Sequence, residues 1–295
     1  MSCSQVHVRV PASTSNLGPG FDCLGLALNL FNTTTLTRTE GAKPQAGMIE
    51  ETTAAFFKRT AHVKPFGFEA QIRGDIPISR GLGSSVTVRL GVLMGLAELA
   101  KDSISISREE ILELLIELEG HPDNAVPSFL GGFAVCSLAT ANMADGFAYT
   151  RAAVKPELAF VTLVPDLHLE TEEARKILPK EVPFRQAVEN TQRTARIAAA
   201  FCTGNYELLR GLFVDHLHQP FRQKLIPGFA DILQSAQEAG ALGSFLSGAG
   251  SCLMAVTLEN EKQISAAMLE AAKKHNLPAK ALVLRADNEG AMLVN

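Results

Sequence analysis

Residues 76–100 read IPISRGLGSSVTVRLGVLMGLAELA, a turn from Pro77 to Gly83 that runs straight into a helical pattern. Val86, Leu90, Leu93, Met94 and Ala97 recur at helical spacing on one face, and Val88, Val92, Leu96 and Leu99 supply a second. A helix apolar on two faces is expected to be largely buried, with Ser84 or Ser85 as its N-cap. Gly81 and Gly83 remove side chains where the backbone turns. The free N–H groups of the helix's first turn then face whatever sits in front of them, where the helix dipole favours an anion. Two readings fit: a phosphate cradle, and a glycine-rich turn before a well-capped helix. Two familiar cradles are excluded. The Walker A pattern needs Gly-Lys, a pair this chain lacks throughout, and the dinucleotide fingerprint needs a third glycine where Val86 stands.

The bulk properties narrow the class. A chain of 295 residues, 46% hydrophobic and 20% charged, has the length for two domains and the composition for a sizeable core. Formal net charge is -4 with no basic run, which argues against nucleic acid as a partner. Five cysteines (Cys3, Cys23, Cys136, Cys202 and Cys252) form no C-x-x-C pair and are odd in number, the pattern of free thiols in a reducing compartment. Residues 1–10 lack the apolar core of a signal peptide, and no apolar run approaches membrane length. The expectation is a soluble cytoplasmic protein with neither nucleic-acid nor membrane partners.

Val6, Val8 and Val10 alternate with His7 and Arg9 as a half-buried strand that Pro11 is expected to end. ASTSNLGPGFDCLGLAL follows at 12–28, a shaped loop whose notable polar groups are Asn16 and Asp22; read alone, they are turn residues capping their own backbone. Residues 24–39 read as extended, 43–47 as a loop, 52–61 as a short helix and 68–72 as a strand. Ser107 and Glu110 form a capping box for a helix to Leu118 that Gly120 stops. Glu119, His121, Asp123 and Asn124 then make a polar cluster on a turn, in the run ELEGHPDNAVPSFLGGF. Strands are expected at 133–138, 147–154 and 158–164, with a domain boundary near Lys155-Pro156. Thr171 opens a helix in HLETEEAR with Arg175 one turn on, read alone as an N-cap and a solvated cation. Helices follow at 186–201 and 206–213. His216 and His218 form an H-x-H pair without a third ligand nearby, too few for a metal site. SFLSGAGSCLMA at 244–255 is a glycine turn between strands, and a helix at 261–274 and a strand at 281–285 close the chain.

PISRGLGSS resembles the second signature of the GHMP kinases, and the stretches at 12–28 and 244–255 resemble the first and third, in order. The runs HPDNAVPSFLGG, TEEAR and LHQPFRQKLIPG resemble the form found in homoserine kinases. The resemblance covers nearly the whole chain. It implies an α+β fold of two domains: a ribosomal S5 domain 2-like nucleotide-binding half at 1–155 and a ferredoxin-like half at 156–295. It also implies a homodimer, and an ATP- and Mg2+-dependent phosphorylation of the L-homoserine hydroxyl on the way to threonine.

The same resemblance implies roles for individual residues. Pro77, Arg80, Gly81, Leu82, Gly83, Ser84 and Ser85 would bind ATP. Ser85 and Glu119 would ligate Mg2+, with Glu117 as the alternative carboxylate. Asn16 and Asp22 would line the amino-acid pocket, Asp22 meeting the ammonium. Thr171 would belong to the substrate site, and Arg175 and Arg222 would fork onto the carboxylate. Gly248 would pack against the substrate. His121, Asp123 and Asn124 would surround the acceptor hydroxyl, with Asn124 orienting it and either Asp123 or the phosphate itself accepting its proton.

Two departures stand out. The segment at 40–60 is short and lacks the family's adenine-holding Asn. After the serines, Val86-Thr87-Val88-Arg89 replaces the family's usual run of alanines, and Arg89 is expected to snorkel to the surface rather than reach a phosphate. The alternatives to homoserine phosphorylation are another small carboxylated alcohol as acceptor, a catalytically silent binding module, and a hydrolase, the last disfavoured because no G-x-S-x-G occurs.

Overall fold

The computed structural model describes residues 4–41, 45–60, 66–138 and 146–294; Cys3, residue 61 and residues 43 and 44 of the 43–47 loop lie outside them. The elements in order are β1 (Gln5–Ser15), β2 (Leu24–Thr39), α1 (Gly47–Arg59), β3 (Gly67–Gly74), α2 (Ser84–Leu99), α3 (Arg108–Glu119), α4 (Pro122–Leu130), β4 (Phe133–Leu138), β5 (Phe147–Ala152), β6 (Ala159–Pro165), α5 (Thr171–Lys176), α6 (Phe184–Thr203), α7 (Gln219–Arg222), α8 (Phe229–Glu238), β7 (Gly243–Leu246), β8 (Leu253–Thr257), α9 (Glu261–Lys274), β9 (Ala279–Arg285) and β10 (Met292–Val294).

β2 is the hub of a six-stranded antiparallel sheet ordered β10-β1-β2-β4-β5, with β3 on β2's C-terminal half. Val8 and Val10 of β1 are fully buried, as their alternation predicts. Pro11 does not end the strand. The register shifts between Pro11 and Ala12, and pairing continues to Ser15. A residue without an N–H is tolerated at such an irregularity, and the shift carries β1 on to the cleft. α2 lies on this sheet so closely that a Cβ on Gly91 would stand 2.2 Å from Thr34 Oγ1, and one on Gly95 2.6 Å from Leu36 Cδ1.

The second sheet is ordered β7-β8-β6-β9, all neighbours antiparallel, with α8 and α9 as crossovers. β6 and β7 are therefore parallel with β8 between them, the split βαβ of a ferredoxin-like fold. The two sheets share one core. Leu26 and Phe133 from the first pack with Phe160, Phe245 and Met254 from the second. The Phe133 and Phe201 rings stack at 4.2 Å. Truncating such a ring costs about 3–5 kcal/mol.

The chain end returns to the first sheet, a crossing the sequence reading lacks. Asp287 N–H donates to Ala27 O at 3.0 Å and Gly132 N–H to Asp287 O at 2.6 Å, and β10 then pairs with β1. Three further elements differ from expectation. Residues 122–130 form helix α4 rather than a turn, because Pro122 at the first helical position needs no N–H partner. Only Tyr206–Leu209, a single 3-10 turn, is helical within 206–213. α1 begins at Gly47, five residues before the expected start. The capping box at Ser107 forms in both directions, and Gly120 ends α3 at φ 76°.

Candidate active site

The loop before α2 is the floor of a cleft of about 810 Å³. The N-cap is Gly83, left-handed at φ 66°, not Ser84 or Ser85, which instead occupy the first helical turn. No side chain caps this helix, so its leading N–H groups are available to an anion. Gly81 is also left-handed, and a Cβ there would stand 2.1 Å from Ser247 O; a Cβ on Gly83 would stand 2.2 Å from Ser13 Oγ. These contacts pin the loop from both sheets. Ser13 N–H donates to Leu82 O at 3.2 Å, Cys252 N–H to Arg80 O at 2.9 Å, and Ser247 Oγ to Gly81 O at 2.6 Å. The 244–255 hairpin thus packs on the loop. Arg80, Gly81, Gly83, Ser84 and Ser85 line the cleft. Leu82 is instead buried in the shared core, and Pro77 is not part of the cleft wall. The Arg80 side chain leaves the loop to donate from Nε to Pro165 O at 3.0 Å.

The other predicted residues converge on the same cleft: Asn16, Asp22, Glu119, His121, Asp123, Asn124, Thr171, Arg175, Arg222 and Gly248. At one end Arg175 donates to both oxygens of Asp22, at 2.8 and 3.2 Å, with both side chains about one third exposed. Asn16 accepts the Asp22 N–H at 3.0 Å and donates to Gly248 O at 3.1 Å. Arg222 is only 2% exposed. It donates from Nε to Ala174 O and from Nη1 to Gly248 O, both at 3.0 Å. Among the described residues no carboxylate oxygen lies within ion-pair distance of Arg222. Burial, with repulsion from Arg175, pushes its guanidinium down to about 10. Phe21 lies beneath both guanidiniums, 5.5 Å from Arg175 and 5.3 Å from Arg222, and stacks on His218 at 5.2 Å.

His218 meets Gly18 O at 2.8 Å, and burial pushes its imidazole down, opposed by Asp215 at 3.5 Å. His216 meets Glu189 instead, at 3.0 Å. Asp215 accepts the backbone N–H groups of Leu217, His218 and Gln219, fixing the turn that carries Arg222.

Toward α2, Ser85 Oγ donates to Glu119 Oε2 at 2.9 Å. Glu117 points elsewhere: it is 61% exposed and pairs with Arg59 at 2.5 Å. Burial raises the Glu119 carboxyl, opposed by Arg89 and Ser85. Arg89 is not at the surface. Its side chain is 14% exposed, and Nη1 donates to Glu119 Oε1 at 2.9 Å. Two hydroxyls flank the α4 end. Asn124 Oδ1 accepts from Ser13 Oγ, and Asn124 Nδ2 donates to Ser15 Oγ, both at 2.9 Å. Asp123, fully enclosed, is pushed up to about 7, first by burial and then by the charge on Asp22. Burial lowers His121, which lies 3.9 Å from Asp22. Asn32, Met48, Ile72, Ile78 and Val88 line the remaining wall.

Ser13, Ser15 and Phe21 escaped the sequence reading. All three lie within the 12–28 stretch, but two hydroxyls and a phenyl carry no signal until the fold sets the serines against Asn124 and Phe21 against the two arginines.

The GHMP kinases N terminal domain matches residues 47–132 and the GHMP kinases C terminal domain matches residues 197–274. The chain is 40% identical to the homoserine kinase of Clostridium beijerinckii, over 98% of both chains, and 37% identical to that of Aquifex aeolicus, over 97% of this chain and 98% of the other. It superposes on the crystal structure of homoserine kinase from Cytophaga hutchinsonii with a TM-score of 0.88 at 23% identity, covering 100% of this chain and 98% of the other, a likeness of fold. With both family domains in place and relatives matching end to end, this chain belongs to the GHMP kinase family.

Proposed function

We propose that the protein transfers the γ-phosphoryl group of ATP to the side-chain hydroxyl of L-homoserine, giving O-phospho-L-homoserine and ADP. The observation that carries this is Arg222, a buried guanidinium with no carboxylate partner among the described residues, beside the Asp22–Arg175 pair and facing the cradle across one cleft. A buried cation normally has an anionic partner. A zwitterionic amino acid supplies one, while its ammonium takes Asp22 and Arg175 turns to the same carboxylate. Phe21 holds both guanidiniums in place.

Phosphoryl transfer asks a protein for positioning and charge stabilisation more than for covalent help. The uncapped first turn of α2 would hold the phosphate chain, and the apolar wall of Met48, Ile72 and Ile78 would take the base. The donor set suits Mg2+, which keeps few protein oxygens beside phosphate and water. Ser85 Oγ and Glu119 stand 2.9 Å apart at the cradle, and we assign them to the ion. Mg2+ would neutralise charge on the transferring group. Asn124, braced by Ser13 and Ser15, would orient the hydroxyl. Two acceptors exist for its proton, Asp123 and the phosphoryl group itself, and a group near 7 is well tuned for that role at neutral pH. The nucleotide half would be 1–155 and the second half 156–295, with β10 completing the first sheet. We also infer a cytoplasmic homodimer with neither nucleic-acid nor membrane partners; among the described residues no helix is long and apolar enough to cross a membrane.

The test is ADP release from MgATP with L-homoserine, L-serine, L-threonine or mevalonate. Homoserine-dependent turnover is the expected result. Turnover with another acceptor alone would reassign the substrate, and no turnover with nucleotide bound would point to an acceptor outside this set. Absence of nucleotide binding would favour a silent module.

A further inference from the structure

Arg89 sits in the second turn of α2, among residues that otherwise serve packing. A cation near a helix N-terminus opposes the dipole, and desolvating a guanidinium is costly. Its Nε is buried without a hydrogen-bond partner among the described residues, which adds a further penalty. The side chain nevertheless turns toward the cradle. Nη1 donates to Leu118 O at 2.5 Å and to Glu119 Oε1 at 2.9 Å, and Nη2 meets the exposed Glu51 at 3.3 Å. The other oxygen of Glu119 accepts from Ser85. One carboxylate therefore separates the guanidinium from the hydroxyl at the start of α2, and Arg89 and Ser85 line the same cleft. An apolar side chain would satisfy the packing here without either cost.

We propose that Arg89 is a resident counter-cation for the nucleotide's phosphate chain, sharing Glu119 with the divalent ion. This rests on the kinase reading above and adds a residue to it. Two consequences have opposite signs. The guanidinium attracts phosphate whether or not a metal is present, so the protein binds metal-free nucleotide. The same charge repels a cation at Glu119, so the protein's own hold on the metal is weaker than its ligands alone would give.

The experiment measures two affinities for wild type, Arg89→Met and Arg89→Lys: ADP in excess EDTA by calorimetry, and Mn2+ in the ADP complex by electron paramagnetic resonance. Arg89→Met is expected to weaken metal-free ADP about tenfold or more, on the scale of a lost charged hydrogen bond, and to tighten Mn2+ severalfold. Arg89→Lys is expected to recover part of the ADP affinity. If Arg89→Met does not fold, Glu51→Gln takes its place: removing the outer anion should tighten metal-free ADP. Unchanged ADP affinity in Arg89→Met, or ADP and Mn2+ weakening together as a structural defect would cause, overturns the proposal. Wild type that turns over homoserine while either of those outcomes holds leaves the kinase reading intact. Wild type that binds ADP only with Mg2+ overturns the proposal alone, and wild type that binds ADP neither in EDTA nor with Mg2+ overturns both.

Discussion

Replacing Arg175 with Met keeps an unbranched apolar stem and removes the charged guanidinium. In the free protein Arg175 is bonded to Asp22, so its loss acts on two states. With substrate bound, Arg175 would donate to the carboxylate, and hydrogen bonds to charged groups are worth about 1.5–3 kcal/mol. In the free protein the Asp22–Arg175 pair must first be broken, and with both partners 32% exposed it is worth about 0.5–1 kcal/mol. The net loss on substitution is about 0.5–2.5 kcal/mol, or about 2- to 60-fold at about 1.4 kcal/mol per decade. The assay is kcat/KM at saturating MgATP for L-homoserine and for 3-aminopropan-1-ol, which keeps the ammonium and hydroxyl but lacks the carboxylate. The variant should lose that factor with homoserine and almost none with the amino alcohol, and its KM for ATP should hold. Equal losses on both acceptors would refute the carboxylate assignment and leave Arg175 as a brace for Asp22.

Asp123→Asn separates the two proton acceptors. If Asp123 takes the proton, wild-type kcat/KM rises with a midpoint of about 7 and the variant loses both the rise and most of its activity; a variant that keeps its rate assigns the proton to the phosphoryl group. The same carboxyl affects stability. Folded, it keeps its proton up to about 7 against an ordinary 3.8, so the native state binds that proton more tightly and this group's contribution falls as pH rises between those values. Urea titrations across that window should show the fall in wild type and its absence in Asp123→Asn. Glu119→Gln should raise the Mg2+ concentration for half-maximal rate by at least the roughly tenfold that even an outer-shell partner is worth, and Glu117→Gln should leave it unchanged; the reverse pattern would make Glu117 the ligand. Gly81→Ala places a Cβ 2.1 Å from Ser247 O at a positive φ, so it should lower Tm and abolish ATP binding; retained ATP affinity would show that the loop need not hold this shape.

The site was legible wherever chemistry is written as a run of residues. PISRGLGSS, HPDNAVPSFLGG, TEEAR and LHQPFR each carry their polar groups within a few positions, and the structure brings all four runs to one cleft. Less legible were features set by distant segments. The capping serines expected at α2 gave way to Gly83 because the loop needs a left-handed residue pressed against Ser13. Arg89 looked like a surface cation because nothing in its neighbourhood announces that Glu119, thirty residues on, will fold back beside Ser85. β10 was invisible because three residues at a chain end have too little pattern to mark a strand. They pair with β1 only once the Asp287 turn has delivered them, its carboxylate accepting the Glu289 and Gly290 N–H groups. Pro11 misled by a general rule, since a strand that shifts register at that point does not need its N–H.

The most direct test of the central claim is phosphorus NMR of a reaction containing the protein, MgATP and L-homoserine. The account predicts a phosphomonoester resonance that appears in step with ADP and is identified as O-phospho-L-homoserine by addition of the authentic compound. Nucleotide bound but no phosphomonoester formed, or inorganic phosphate as the sole phosphorus product beside ADP, would contradict it.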